Sequence, residues 1–316
     1  MALRRRRLWR WLGWLLVGLS LAFVGARLWQ GDAWALARPQ LAPLVLATLA
    51  GALVYGLAGF LLSAAWRQIL ALERPPGPAA GYHAVYGRSQ IAKYLPGNCF
   101  HLVGRQLLGR TLSHSQAALA AASLLEAALL LALAMSLAAP LARPWLGGWA
   151  ALLPIAAVAA GLGLVCAGDR LLPRRWWPLP GMARDRGRRL ATALACHGAF
   201  FALAAGLLWL LVALVSDRVP GPLVCLSALA LAWAAGFVVP GSSAGLGVRE
   251  AVLIVALESA LGAEASTLAA LALRVVTTAG DGVFCALALL LPLPRRSRAA
   301  GRSVDQSKRS SSLTSV

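Results

Sequence analysis

The stretch Leu190–Ser216, LATALACHGAFFALAAGLLWLLVALVS, carries no charged side chain along its whole length. An α-helix needs about 20 residues to cross the hydrocarbon core of a bilayer, so this block is long enough to span one. Two more blocks are free of charge in the same way, Pro39 to Trp66 and Val219 to Val248. Of the 316 residues, 59% are hydrophobic and only 13% charged, and the apolar ones are massed in blocks instead of alternating with polar ones as on the faces of a soluble core. The sequence therefore predicts an all-α, multi-pass integral membrane protein.

Working outward from that block gives about eight transmembrane helices. They are Leu8 to Leu28, Leu41 to Trp66, Gln116 to Ala139, Trp149 to Ala167, Leu190 to Val215, Pro222 to Val239, Leu246 to Leu261 and Thr267 to Leu291. The first has the basic start and small-residue end of a signal peptide, but its long apolar part and its tryptophans fit a retained anchor better. Net charge is +19, which in a soluble protein points to nucleic acid; here no aromatic platform or helix-turn-helix pattern accompanies it, and nucleic-acid binding is not expected. The basic residues instead flank spans. With both termini inside, Arg4 to Arg7, Arg10, Arg67, Arg74, Arg110, the arginines from Arg170 to Arg189 and the Lys/Arg from Arg295 to Arg309 are cytoplasmic. Only Arg27, Arg38, Arg143 and Arg218 fall outside, the asymmetry of the positive-inside bias.

The segment Gly81–Arg110, GYHAVYGRSQIAKYLPGNCFHLVGRQLLGR, is too polar to face lipid and too apolar for an ordinary loop. Non-helical backbone survives at membrane depth only where protein buries it or it lines a wet cavity. The expectation is a re-entrant hairpin broken at Pro96-Gly97, since proline lacks an N–H, disfavours helix at the residue before it, and glycine permits the turn. A second segment, Pro240-Gly241-Ser-Ser-Ala-Gly245-Leu-Gly247-Val-Arg249, shares the Pro-Gly start and the arginine nine positions after the proline. A shift of about 144 residues also superposes several spans. Chance recurrence in a chain rich in proline and glycine is the bland alternative. The repeat reading divides the chain into residues 1–145 with hairpin 81–110, residues 146–295 with a Pro-Gly hairpin at 222–261, and a disordered basic cytoplasmic tail, 296–316. An odd number of crossings per repeat makes the pair inverted, an architecture frequent in transporters, with discontinuous helices meeting near the midplane.

Ionisable side chains inside a bilayer are costly and mark cavities or partners. The candidates are Arg88, Lys93 and Arg105 in the first hairpin, with Tyr94 and Asn98 beside them, and Arg249 and Arg274 later in the chain. These are assigned to a phosphate-bearing substrate, because arginine forks match phosphate oxygens. Arg105, Arg249 and Arg274 are expected to line one cavity. Glu126, Glu250 and Asp281 are assigned orienting or proton-coupling roles, and Pro96, Gly97, Pro240, Gly241, Gly245 and Gly247 the turns. Arg274, Thr277, Thr278 and Asp281 recur at helical spacing, so they share one face. The bland alternative is pairing that stitches helices together, Arg274 with Asp281 or Glu126 and Arg249 with Glu250 or Glu258. Against it, no acidic residue lies between Arg74 and Glu126 to neutralise the first-hairpin cations. The four histidines lack metal-ligand spacing and the five cysteines lack any CxxC pair, so no metal, cofactor or catalytic constellation is expected.

The motifs KYLPGNCFHLVGR (Lys93 to Arg105) and PGSSAGLGVREAVL (Pro240 to Leu253) resemble those of the lysylphosphatidylglycerol synthase transmembrane region family, flippase-like integral membrane proteins. Members carry Tyr-x-Pro-Gly…Gly-Arg and later Pro-Gly…Gly-Leu-Gly-x-Arg-Glu, matched by Tyr94, Pro96, Gly97, Gly104 and Arg105 and by Pro240, Gly241, Gly245, Gly247, Arg249 and Glu250. Ser242-Ser243-Ala244 stands where a further glycine is common. The resemblance implies the translocating half alone, in the bacterial inner membrane, without the aminoacyl-transferase domain of the larger members. Two functional expectations remain. One is a lipid flippase-like transporter, not an enzyme, moving a phospholipid or polyprenyl-phosphate-linked lipid, with membrane lipids as its partners. The other is a membrane-embedded accessory protein or enzyme of lipid or envelope-glycan modification, working with a separate lipid-modifying enzyme.

Overall fold

The computed structural model describes residues 15, 18–27, 29, 37–95, 100–146, 152, 156, 159, 183–239 and 243–294. Among these residues the chain is helical throughout and contains no strand. The helices are α1 (Gly18–Arg27), then α2 (Leu41–Leu70), α3 (Ala79–Gln90), α4 (Phe100–Leu108) and α5 (Gln116–Leu146). They continue as α6 (Ala183–Val215), α7 (Pro222–Val238), α8 (Val248–Leu261) and α9 (Ala263–Leu290). Side chains of 142–146 and 183–184 lie outside the description.

Four helices are long and apolar enough to cross a membrane: Arg38–Leu70, Gln116–Leu141, Asp185–Val215 and Ala263–Leu290. These are the second, third, fifth and eighth expected spans. The first is described as the short α1, and Trp149 to Ala167 falls almost wholly outside the described residues. Pro222 to Val239 and Leu246 to Leu261 are not two long spans. They are the shorter helices α7 and α8, the second preceded by a 3-10 turn at Ser243–Gly245.

Small residues set the bundle's closest crossing. A Cβ on Gly56 of α2 would stand 2.7 Å from Val283 Cγ1 and 2.9 Å from the Gly280 carbonyl oxygen of α9. A Cβ on Gly59 would stand 2.6 Å from the Phe284 ring. Without hydrophobic gain between helices in lipid, such close backbone packing supplies much of the association energy. α8 and α9 meet at Gly262, whose φ of +83° lets two helices adjoin through one residue.

Side-chain contacts sort the helix ends into two groups. At one end Arg189 of α6 donates to Gln68 of α2 (3.3 Å), and Arg67 donates to the Gly77 carbonyl (3.1 Å). Arg88 of α3 joins them there, donating to the Ala288, Leu289 and Leu291 carbonyls that end α9, at 3.1, 3.2 and 2.7 Å. At the opposite end Pro39, Gln40, Ser216–Arg218, Gly262 and Glu264 surround one groove, and Trp209 Nε1 donates to the Pro220 carbonyl at 3.1 Å. Hairpin α3/α4 therefore opens at the first end and hairpin α7/α8 at the second. Their inner ends touch where the 3-10 turn Ile91–Tyr94 packs against Ser243–Gly245. The turn residues themselves, Pro96, Gly97 and Asn98 in one hairpin and Pro240 and Gly241 in the other, lie outside the described residues.

The mouth of hairpin α3/α4 is closed by a relay of hydrogen bonds. His114 Nδ1 lies 2.7 Å from Glu73 Oε2, Tyr82 Oη lies 2.7 Å from His114 Nε2, and the Gly77 and Ser115 N–H groups donate to Tyr82 Oη and Glu73 Oε1. The carboxylate fixes the proton on Nδ1, so Nε2 accepts from Tyr82. Burial, with a smaller contribution from the nearby Arg74 charge, holds the His114 imidazole below its ordinary 6.5 despite Glu73. Burial raises Glu73, but the hydrogen bonds from Ser115 and His114 outweigh it and bring the carboxyl below its ordinary 4.5. For both groups the unfolded chain binds protons more readily, so stability is lost as pH falls.

Two expected outcomes follow from these contacts. Thermal unfolding in detergent should shift to lower temperature between pH 7.5 and pH 5, and H114Q should flatten that dependence; an unchanged slope counts against the relay. Gly56→Ala should destabilise the bundle by about 1–3 kcal/mol through overpacking. Gly198→Ala, with nothing within 4 Å of the added carbon, should leave the midpoint in place.

Candidate functional site

The inner ends of the two hairpins, together with α2, α5, α6 and α9, enclose most of the buried charge. Arg105 of α4, 3% exposed, makes an ion pair with Glu126 of α5, also buried. Glu126 Oε1 accepts from Tyr86 Oη at 2.7 Å, and the guanidinium lies 3.7 Å above the Tyr86 ring. The ring gives a cation a favourable face while contributing one hydrogen bond to its counter-ion. Gln90 Oε1 accepts from Arg105 Nη2 at 3.4 Å.

α9 bears the other two pairs. Asp281 Oδ2 receives Lys93 Nζ at 2.7 Å and Tyr94 Oη at 2.6 Å, both from the inner end of the first hairpin. About two turns earlier on α9, Arg274 Nη1 lies 3.3 Å from Glu250 Oε1 and donates to the Ala244 carbonyl at 3.2 Å. These partners belong to the second hairpin. Glu250 Oε2 in turn accepts the Gly247 N–H at 2.6 Å, a capping contact that fixes the start of α8. Helical spacing thus lets one polar stripe, Arg274 and Asp281, hold both hairpins.

Arg249 differs from the others. Among the described residues no carboxylate lies within ion-pair distance of it, and its Nε is buried without a hydrogen-bond partner. Its guanidinium lies 5.7 Å over the Trp233 ring. Two glycines make room for it: a Cβ on Gly236 would stand 2.5 Å from Arg249 Cγ, and one on Gly245 2.5 Å from its Nε. Gly245 and Gly247 also hold φ of +75° and +80°, and Ala244 holds +51°. The backbone here is bent tightly around the side chain it presents.

The expected single cavity is divided into two chambers that share Tyr55, Phe200, Trp233 and Arg249. The polar chamber, about 70 Å³, adds Gln90, Lys93, His101, Arg105, Ser123 and Glu126. The aromatic chamber, about 40 Å³, adds Glu250, Leu253, Arg274 and Thr277. Each has room for a few water molecules, not for a lipid headgroup, so binding a lipid requires the site to widen.

Of the residues singled out in the sequence, Lys93, Tyr94, Arg105, Glu126, Arg249, Glu250, Arg274 and Asp281 come together. Arg88 does not; its fork satisfies the carbonyls left over at the end of α9. The other two first-hairpin cations, Lys93 and Arg105, do find acidic partners, Asp281 and Glu126, on helices distant in sequence. Arg274 pairs with Glu250, and Glu258 pairs with Arg27 at 2.7 Å, tying α1 to α8. Sequence reasoning missed Tyr86, Gln90, His101 and Ser123. For the first three the signal was present in the polarity of residues 81–110, but nothing in it said which side chains face the chamber; Ser123 sits in the apolar run of α5 and gave no signal. Compared with known proteins, the sequence matches no protein-family model and no curated protein.

Removing one partner of a buried pair strands the other charge, at a cost of about 3–5 kcal/mol. Arg105→Ala should therefore unfold far below the parent temperature in detergent, and R105M with E126L should recover most of the loss. Equal destabilisation in the single and paired variants is the result that removes this pairing from the stability argument.

Proposed function

We propose that the chain is a flippase-like transporter of a phosphate-bearing lipid, working in the bacterial inner membrane, multi-pass with both termini cytoplasmic. The observation that carries this reading is Arg249, a cation without a carboxylate at the junction of two chambers. A cation kept at membrane depth without an internal counter-ion is expensive, and an anionic ligand that visits the site repays that expense. The guanidinium fork suits phosphate oxygens. Opposed hairpins with touching inner ends support an inverted repeat, the two halves alternating access around the site. The resemblance of Lys93–Arg105 and Pro240–Leu253 to the lysylphosphatidylglycerol synthase transmembrane region points the same way.

The competing reading, an accessory protein whose buried charges are structural, draws on the three complete ion pairs. It leaves Arg249 unexplained. Purified protein in vesicles, with acyl-labelled phospholipid and a membrane-impermeant quencher, separates the two. Parent protein should expose inner-leaflet lipid to the quencher without any added enzyme. Arg249→Ala should abolish this, and R249K should slow it about tenfold or more, keeping the charge while losing the fork, with thermal stability close to parent in both. Translocation unaffected in both variants would falsify the role given to Arg249.

A further inference from the structure

The charges around the chambers also define the headgroup. Lys93, Arg105, Arg249 and Arg274 face Glu126, Glu250 and Asp281, and every member of this set except Arg249 has a partner of opposite sign. The sequence segments 96–99 and 240–242, which complete the hairpins, contribute no ionisable acid or base of these kinds. The set therefore carries one positive charge in excess, and a ligand with one negative charge neutralises it. A phosphomonoester brings up to two negative charges. A phosphodiester bearing an amine adds a cation for which every carboxylate is already engaged.

The hydrogen-bonding capacity of the two chambers is unequal. On the polar side Ser123 Oγ, His101 Nδ1 and Arg105 Nε are buried and without hydrogen-bond partners, and Ser123 and Arg105 are 2% and 3% exposed. All three residues line the chamber. On the other side of Arg249 the chamber adds Phe201, Leu253 and Leu273 to the shared Phe200 and Trp233, and its polar side chains are already engaged, Arg274 with Glu250 and Thr277 with the Arg274 carbonyl. A buried polar group without a partner is costly, so the polar wall favours a ligand that offers donors and acceptors and no charge.

We infer that the substrate is a monoanionic phosphodiester lipid with an uncharged, hydroxyl-bearing headgroup, of glycerol or sugar type. Its phosphate sits at Arg249, its headgroup lies toward Ser123 and His101, and its hydrocarbon side lies toward Phe201 and Leu253. This inference rests on the transport reading above and narrows it.

The test uses the full chain in phosphatidylcholine vesicles carrying one trace lipid at a time, labelled on the acyl chain. The three lipids are phosphatidylglycerol, phosphatidic acid and lysylphosphatidylglycerol. Phosphatidylglycerol should cross at least about tenfold faster than either of the others, since each of those leaves a buried charge unbalanced. Ser123→Ala and His101→Gln should slow phosphatidylglycerol and leave phosphatidic acid unchanged. Equal rates for all three lipids, or a preference for the lysyl lipid, with Arg249→Ala still abolishing movement, would overturn the headgroup assignment and leave the transport reading standing. No movement of any lipid above protein-free vesicles would overturn transport. In that case lipid-induced thermal stabilisation in detergent judges the site alone. Arg249-dependent stabilisation by phosphatidylglycerol above the other two supports the assignment, and equal stabilisation overturns it.

Discussion

Charge placed inside an apolar bundle must find its counter-charge, and in this protein that requirement organises the middle of the molecule. α9 carries an acid at Asp281 and a base at Arg274 on one stripe, and each is answered from a different hairpin. The irregular backbone near Ala244 and the 3-10 turn before Leu95 could not persist against lipid, where unpaired N–H and C=O groups go unsatisfied. They persist because ion pairs and the Tyr94 hydrogen bond hold them against α9. A buried ion pair adds little net stability over a well-packed apolar pair, so the value of these contacts lies in register: they specify where along α9 each hairpin stops.

Hydropathy made the long helices legible, because a run without charge from Leu190 to Ser216 leaves few alternatives to a membrane span. Proline and glycine made the hairpins legible in outline. Partnership was not legible, for a definite reason. Asp281 is 187 residues from Tyr94, and Arg88 reaches carbonyls 200 to 203 residues away. Scanning the neighbourhood of the first hairpin for acids could find neither relationship. The Arg88 case carries a further lesson, since a backbone carbonyl at a helix end is an acceptor that no side-chain inventory records. Short helices were also misread: α7 and α8 are apolar enough to pass for spans, and only the contacts of their outer ends show that both begin and finish on one side.

The aromatic walls of the two chambers explain why a cation without a carboxylate partner is tolerable there. Aromatic faces at Trp233 and Tyr86 stand beside Arg249 and Arg105, and a ring face offers a guanidinium part of what water would. For Arg105 the ring supplements a carboxylate. For Arg249 it takes the place of one, leaving electrostatic capacity for a ligand. The same logic accounts for Gly236 and Gly245, which remove their own side chains so that Arg249 can lie along the backbone toward the chambers.

On the proposed reading, the attachment of both hairpins to α9 has a consequence for how access alternates. Separating Lys93 and Tyr94 from Asp281 releases the inner end of the first hairpin from α9 while Arg274 and Glu250 keep the second in place, and the reverse separation releases the second. Opening both together strands four charges at once, at several kcal/mol for each buried pair, so a state open to both ends is strongly disfavoured. A phosphate at Arg249 lies between the two latches, and it lowers the cost of either opening by offering a nearby anion to the cation released. The ligand's one negative charge can serve only one released cation at a time. Charge balance alone therefore favours opening one end at a time, which is the condition a transporter needs to move its lipid without leaking.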